Sequence, residues 1–353
     1  MNVNIILPDN SVRTFDHEPS TLEVANSIGA RLAKDTLGAK INGGAEVIDL
    51  RTPLKDGTKL QIITTKSPEA LDVVRHSAAH LMAQAVQEIW PEVKVTIGPV
   101  VENGFYYDFD SSFNFTEEHF EKIEKKMEEI QKKDLPLVRE FWPIEKAIET
   151  FSGMKERFKV ELIQDLAAKG ETVVGIYHQG NWFDLCRGPH VQSTGQIKSF
   201  KLMSVAGAYW KADQSNAMLQ RVYATAFMDK KDLEEYIKNI EEAKKRDHRK
   251  LGKELGMFTF HPWAPGSPFF TGRGAVVYNE LQKYLRELYF KYGYNEVITP
   301  QIFDTELFKT SGHLANYKDN MFFTKVDERD FGSKPMNCPS HCLLFASEKY
   351  SYR

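Results

Sequence analysis

An α+β fold divided among several domains is what the sequence predicts, on three grounds. Residues 1–64 alternate short apolar runs with turn residues. Residues 65–228 combine an Asn-Gly hairpin with amphipathic helices that are segregated from the strands. Past residue 252 a Pro- and Gly-rich stretch opens a new pattern. At 353 residues the chain is long for a single domain, and two or three are expected.

Residues 3–7 read as a strand, Pro8-Asp9-Asn10-Ser11 as a tight turn, and 12–15 as the returning strand. Thr21 is expected to cap a helix that carries Leu22, Val24, Ala25, Ile28 and Leu32 at helical spacing. Short strands are expected at 39–41, 45–48 and 59–64. Strands around one helix in so short a segment form the pattern of a small ubiquitin-like β-grasp domain. It holds no nucleophile–base pair and no metal set, so it reads as a binding or regulatory module.

Lys66-Ser67-Pro68 marks a break, with Pro68 at the start of a helix running to Trp90-Pro91. Leu71, Val74, Ala78, Leu81, Met82, Ala85 and Ile89 form its apolar stripe, while His76 and His80 lie on the opposite face beside Ala83 and Gln87. A hairpin follows, 93–101 returning through 105–109 about Glu102-Asn103-Gly104. Thr116 should cap a helix with Phe120, Ile123, Met127 and Ile130 inward, its Glu/Lys exterior being a solvated face. A short helix at 144–151 and strands at 172–177 and 181–185 complete an antiparallel α+β domain. A long helix is expected over 229–252, with Leu233, Ile237, Ile240 and Ala243 inward and a basic end at 244–250 that suits its C-terminal dipole, in preference to a specific RNA contact. Beyond the loops at 262–274, an amphipathic helix at 278–289 precedes a strand at 295–298.

Lys and Arg number 46 against 49 Asp and Glu, a formal net charge of −3, which excludes a uniformly basic surface but not a local one that binds RNA. No run of about 18 apolar residues exists, and the N-terminus lacks a basic start and a small-residue cleavage site. A cytoplasmic location is expected. The cysteines, Cys186, Cys338 and Cys342, are too few for a disulfide framework and suit a reducing compartment.

Two histidines four residues apart on a helix stack on one face and can grip one metal ion or one polar ligand. The HxxxH spacing is by itself weak, since two solvated histidines give the same pattern, and without the Glu of HExxH a metalloprotease is disfavoured. Cys186 and His190 repeat the spacing, although Gly188-Pro189 argues against a helix there. Two arrangements follow. One is a zinc site of one thiolate and three imidazoles, and the other is a metal-free pocket that positions a water.

The pair HSAAH (76–80) and CRGPH (186–190), with IGPVVENGFYYDF, GAYWKAD, MLQRVYATAF and RDHRKLGKEL, resembles threonyl-tRNA synthetase of the bacterial type, from the β-grasp segment to Arg353. The resemblance implies a TGS domain at 1–64, an editing domain at 65–228, a linker helix at 229–252, and at 253–353 the first part of a class II antiparallel-sheet catalytic domain. It implies threonine–tRNA ligase activity using ATP and Mg2+, with hydrolytic editing of serine wrongly attached to threonine tRNA. Such editing has a physical reason: a missing methyl is worth only about 1–3 kcal/mol in a pocket, too little to reject serine. His76, His80, Cys186 and His190 match the family's editing pocket, as do Lys159, Asp184 and, more weakly, Tyr107. A water held or deprotonated by His76 with help from Lys159 is expected to attack the ester, the other residues shaping the pocket without metal.

Residues 294–300 look like motif 1, which in the family lies at the dimer interface, so a homodimer is implied. Cys338 matches a cysteine ligand of the zinc that binds threonine, and Ser340 stands where many members have Gly. The family's other zinc ligands and its ATP-binding motifs would lie after Arg353, so the chain is expected to be part of a longer ligase. Alternatives are a stand-alone seryl-tRNA deacylase and a non-catalytic RNA-binding or regulatory module. A structural zinc knuckle of Cys338 and Cys342 lacks a second cysteine pair.

Overall fold

A computed structural model describes residues 2–351 of the chain. Two compact units emerge, Met1–Lys244 and Lys245–Arg353.

In the first unit, β1 (Val3–Ile6) and β2 (Val12–Phe15) form an antiparallel hairpin, followed by α1 (Thr21–Ile28) and α2 (Ala30–Asp35). β3 (Thr36–Ile41) pairs antiparallel with β4 (Leu60–Thr64), and a parallel bridge from Ile6 to Lys59 sets β1 beside β4, the mixed arrangement of a β-grasp. Ile5, Val24, Ala39, Leu54 and Leu60 fill its core. Two expectations are corrected here. Ser20, not Thr21, caps α1, in a reciprocal box with Glu23, because the buried Thr21 already lies inside the helix. The strand expected at 45–48 is only a bridge between Ile48 and Ala39, because Ala45 and Glu46 form a bend after the Asn42-Gly43 turn.

The centre of this unit is α3 (Ala70–Ile89). One side packs on a sheet ordered β11-β12-β7-β5, built from β5 (Lys94–Val95), β7 (Gly104–Asp110), β11 (Ser199–Tyr209) and β12 (Met218–Phe227), with β6 (Val100–Val101) pairing β7 across the Asn103 turn. α4 (Phe120–Lys132) adds Phe120, Ile123, Met127 and Ile130, as its spacing predicts. A second sheet, ordered β10-β9-β8, consists of β8 (Leu137–Pro143), β9 (Val173–Gln179) and β10 (Trp182–Leu185). Its far face is covered by α5 (Ile144–Gly153) and α6 (Arg157–Ala168) through Phe151, Ile163, Val174 and Ile176. Its near face meets α3, where Gln179 donates to Gln84 and Trp182 donates to Gln87 at 2.8 Å. Small residues, Ser77, Ala78, Ala79 and Ala83, are fully buried on α3 and let it approach both sheets.

The helix expected over 229–252 is two helices, α7 (Lys230–Lys245) and α8 (His248–Glu254). Asp247 breaks the run because its carboxylate caps α8 by accepting from the Arg249 amide at 2.8 Å. Of the residues expected inward, Leu233 is buried, Ile237 and Ile240 are half-buried and Ala243 is exposed.

The second unit contains α8, the short strands β13 (Phe258–Thr259) and β14 (Phe269–Phe270), and α9 (Gly272–Tyr292). A three-stranded antiparallel sheet combines β15 (Ile302–Asp304), β16 (Phe323–Val326) and β17 (Arg329–Ser333), and α10 (Cys338–Ala346) follows. The strand expected at 295–298 is not formed: no strand among the described residues pairs with it. Ser340 steadies its turn, since its hydroxyl donates to the Asn337 carbonyl at 2.8 Å.

No helix among the described residues is long and apolar enough to cross a membrane.

Candidate hydrolytic site

His76, His80, Cys186 and His190 converge, their ligand atoms all within 4.8 Å of one another. α3 supplies the first two on the face turned to the small sheet, and the loop after β10 supplies the others. The solvated-histidine reading fails here, because His80 is only 3% exposed: the face opposite the apolar stripe is covered by β9 and β10. Cys186 Sγ lies 3.2 Å from His76 Nε2 and 3.3 Å from His190 Nε2.

The loop is held from beneath. The Ser77 hydroxyl donates to the Val73 carbonyl at 2.8 Å, which leaves its oxygen to accept from the Val191 amide and from His190 Nδ1 at 3.1 Å. His190 Nε2 then presents a lone pair toward Sγ. Gly188 has φ +75°, and a Cβ there would stand 1.9 Å from the Tyr177 hydroxyl oxygen, so both conformation and space require glycine. The Tyr177 ring also packs edge-on against His190 at 4.4 Å.

Burial dominates the protonation of this cluster. It lowers His76 to about 4 and holds His80 and His190 well below their usual range, so the imidazoles are neutral near pH 7. It pushes the Cys186 thiol up to about 12, so without a metal the group is a thiol rather than a thiolate. A neutral imidazole can accept a proton or ligate a metal, His76 being a weak base at about 4, whereas a protonated thiol is a poor nucleophile.

Beside the cluster lies a buried charged chain. Lys159 Nζ is 2.5 Å from Asp184 Oδ1 and donates to the Tyr107 hydroxyl at 3.1 Å, and Tyr107 donates to Asp184 Oδ2 at 2.5 Å. Lys159 and Asp184 are each 1% exposed. His80 Nε2 is 3.9 Å from Asp184 Oδ2, which couples the chain to the cluster. Each residue expected in the pocket is therefore found in one place, including Tyr107. Ser77, Tyr177 and Trp182 also build it. Ser77 lies within the HSAAH run itself, but nothing in sequence spacing distinguishes the two aromatics.

The four-residue cluster fits a metal ion by its chemistry and by its spacing. A tetrahedral zinc with bonds of about 2.3 Å to sulfur and 2.0–2.1 Å to nitrogen needs ligand atoms roughly 3.3–3.6 Å apart, close to the Cys–His separations here. Cys338 differs: it is exposed at the start of α10 and belongs to no such group among the described residues.

Residues 3–64 match the TGS domain family, and residues 174–223 match the family described as the threonyl and alanyl tRNA synthetase second additional domain. The chain is 77% identical over 352 residues to the threonine–tRNA ligase of Bdellovibrio bacteriovorus, covering 99% of this chain and 54% of that protein. It is 51% identical over 352 residues to that of Geobacter sp. strain M21 and 49% identical over 352 residues to that of Thiobacillus denitrificans, covering 99% of this chain and 55% of each. The chain thus spans about half the length of the curated relatives it matches. Both domain matches and the similarity along nearly every residue make the chain similar to threonine–tRNA ligases over about half of their length.

Proposed function

We propose that the pocket of His76, His80, Cys186 and His190 hydrolyses the ester of serine attached to threonine tRNA. The observation that carries this reading is the enclosed cluster of neutral imidazoles around a protonated thiol, which suits holding and deprotonating a water better than forming an acyl-thioester. His76 takes the water's proton as the oxygen attacks the ester carbonyl, and the tRNA ribose hydroxyl leaves with a proton. Lys159 is committed to Asp184 and Tyr107, so its help to His76 is electrostatic and passes through Asp184 and His80. His80, Cys186 and His190 shape a space that admits serine and meets the extra methyl of threonine. A zinc ion, where bound, would be held by these same residues and would supply Lewis-acid polarisation.

The test is deacylation of seryl-tRNA by the chain. His76→Ala with Cys186→Ala should lower the rate by about a hundredfold or more, as loss of a positioned base does. Unchanged hydrolysis, or none by the wild type, overturns the assignment. Metal analysis decides the water-only form: a tightly held zinc whose removal abolishes deacylation would replace it.

For the larger protein we propose threonine–tRNA ligase activity in the cytoplasm, as a homodimer acting on threonine, ATP with Mg2+, and threonine tRNA. In this reading residues 253–353 begin a class II catalytic domain and Cys338 is one zinc ligand. Similarity to threonine–tRNA ligases along nearly the whole of this chain, about half of their length, supports it. One cysteine is no metal site by itself, and Cys338 would need further ligands to hold the ion.

A further inference from the structure

A cavity of about 710 Å³ opens beside the cluster. Its floor is the 186–189 loop, and one wall comes from the β-grasp residues Val47, Ile48 and Asp49. Arg139 lines it from β8, paired in register with Tyr177, which is in turn paired with Asp184. Cross-strand partners share a face, so Arg139 stands in the same row as the pocket's own residues.

The guanidinium is fixed but uncommitted. It lies 4.3 Å from the centre of the Phe141 ring and 6.0 Å from that of Tyr177. Its Nε is buried without a hydrogen-bond partner, and no carboxylate among the described residues pairs with it. Glu46, Asp49, Asp165 and Glu171 also line the cavity, balanced in part by Lys169 and Arg187; Asp49 is already occupied by the Tyr177 hydroxyl and the Arg51 amide, each at 2.8 Å. Arginine stays charged, and a partly buried cation without a partner is costly. Gly175 keeps the group next to the site: a Cβ there would stand 2.6 Å from the Cys186 carbonyl oxygen and 3.4 Å from Arg139 Nε. An oriented planar fork, partly buried and without an ion-pair partner, recognises an oxyanion with two acceptor oxygens. On an aminoacylated RNA, the anion one sugar away from the ester is the last phosphodiester of the 3′ strand.

We propose that Arg139 is the seat of that phosphodiester, and that the cavity between the β-grasp domain and the small sheet receives the 3′ end of the RNA so that its ester reaches the Cys186–His190 loop. The proposal rests on the hydrolytic reading for its substrate, but its test does not depend on hydrolysis. The full chain is titrated with an uncharged RNA hairpin with a single-stranded 3′ end, either unmodified or carrying a neutral methylphosphonate at the last linkage. Wild type should prefer the unmodified RNA by about tenfold, the scale of one charge-assisted contact. Arg139→Gln should bind both alike, and as weakly as wild type binds the neutral form. Arg139→Lys keeps the charge but not the fork, so it should show an intermediate preference, and it serves if the Gln variant is unstable. A wild type with no preference, or an Arg139→Gln variant that keeps it, overturns the proposal. With seryl-RNA, Arg139→Gln should raise KM about tenfold and leave kcat within about twofold, and a loss confined to kcat also overturns it. If no serine is released while the methylphosphonate preference still depends on Arg139, the hydrolytic reading falls and the phosphate seat stands.

Discussion

Lys159 and Asp184 form an ion pair at 2.5 Å, each 1% exposed, with the Tyr107 hydroxyl bridging them. Removing one partner strands a buried charge, so Lys159→Met should destabilise the first unit by about 3–5 kcal/mol. Lys159→Met with Asp184→Leu should recover much of that loss in urea unfolding while leaving deacylation impaired, if the pair serves orientation rather than stability. Glu156 provides the pH test. It is 1% exposed, receives Gln87 Nε2 at 2.8 Å and the Val95 amide at 3.2 Å, and burial raises its pKa. Because the folded value is the higher one, the protonated form favours folding. That contribution is fully present below the ordinary carboxylate range and is lost as pH rises through the folded value. Glu156→Gln should therefore gain stability relative to wild type as pH rises above the ordinary carboxylate range. A difference that is flat with pH across urea titrations would refute the assignment.

At the scale of elements, capping and register decide where the chain turns. The Ser20 hydroxyl accepts from the Glu23 amide at 3.2 Å, and Glu23 Oε2 accepts from the Ser20 amide at 2.7 Å. Ser20→Ala should cost about 1 kcal/mol in thermal or urea unfolding. α3 contributes most to the site because its two faces serve two sheets: Val74, Ala78 and Met82 reach the larger core, while His76 and His80 meet the smaller sheet and its loop. The helix was legible from its period. Its double burial was not, since hydrophobic spacing marks the stripe that needs no polar partners and is silent about a polar face covered by another layer.

Within the first unit, the β-grasp domain is tied to the hydrolytic site by directed contacts. Tyr177 donates to Asp49, Arg51 donates to the Leu137 carbonyl, and Gln192 donates to the Ala33 and Thr36 carbonyls at 2.7 and 2.8 Å. Tyr177 is thus held from one side by Asp49 and bears on Gly188 and His190 from the other. Asp49→Ala should loosen the 186–190 loop, read as faster amide hydrogen exchange there, and lower deacylation several-fold with Tm changing little. Protection of the loop equal to wild type would show that the contact is only adhesive.

The sequence by itself determined the β-grasp pattern, the Asn103 hairpin, the inward face of α4 and, through HSAAH and CRGPH, the four side chains that converge in one cluster. These features are local, because caps, turns, helical period and short motifs are written in neighbouring residues. The tertiary structure alone decided that His80 is buried, that Lys159 is spent on Asp184, that Ser77 and Tyr177 orient the loop, and that Arg139 and Asp49 face one cavity. Those pairings join residues separated by up to 128 positions, as in Tyr177 and Asp49. Burial and an unpaired charge are properties of what packs around a side chain, so no spacing within the chain can announce them.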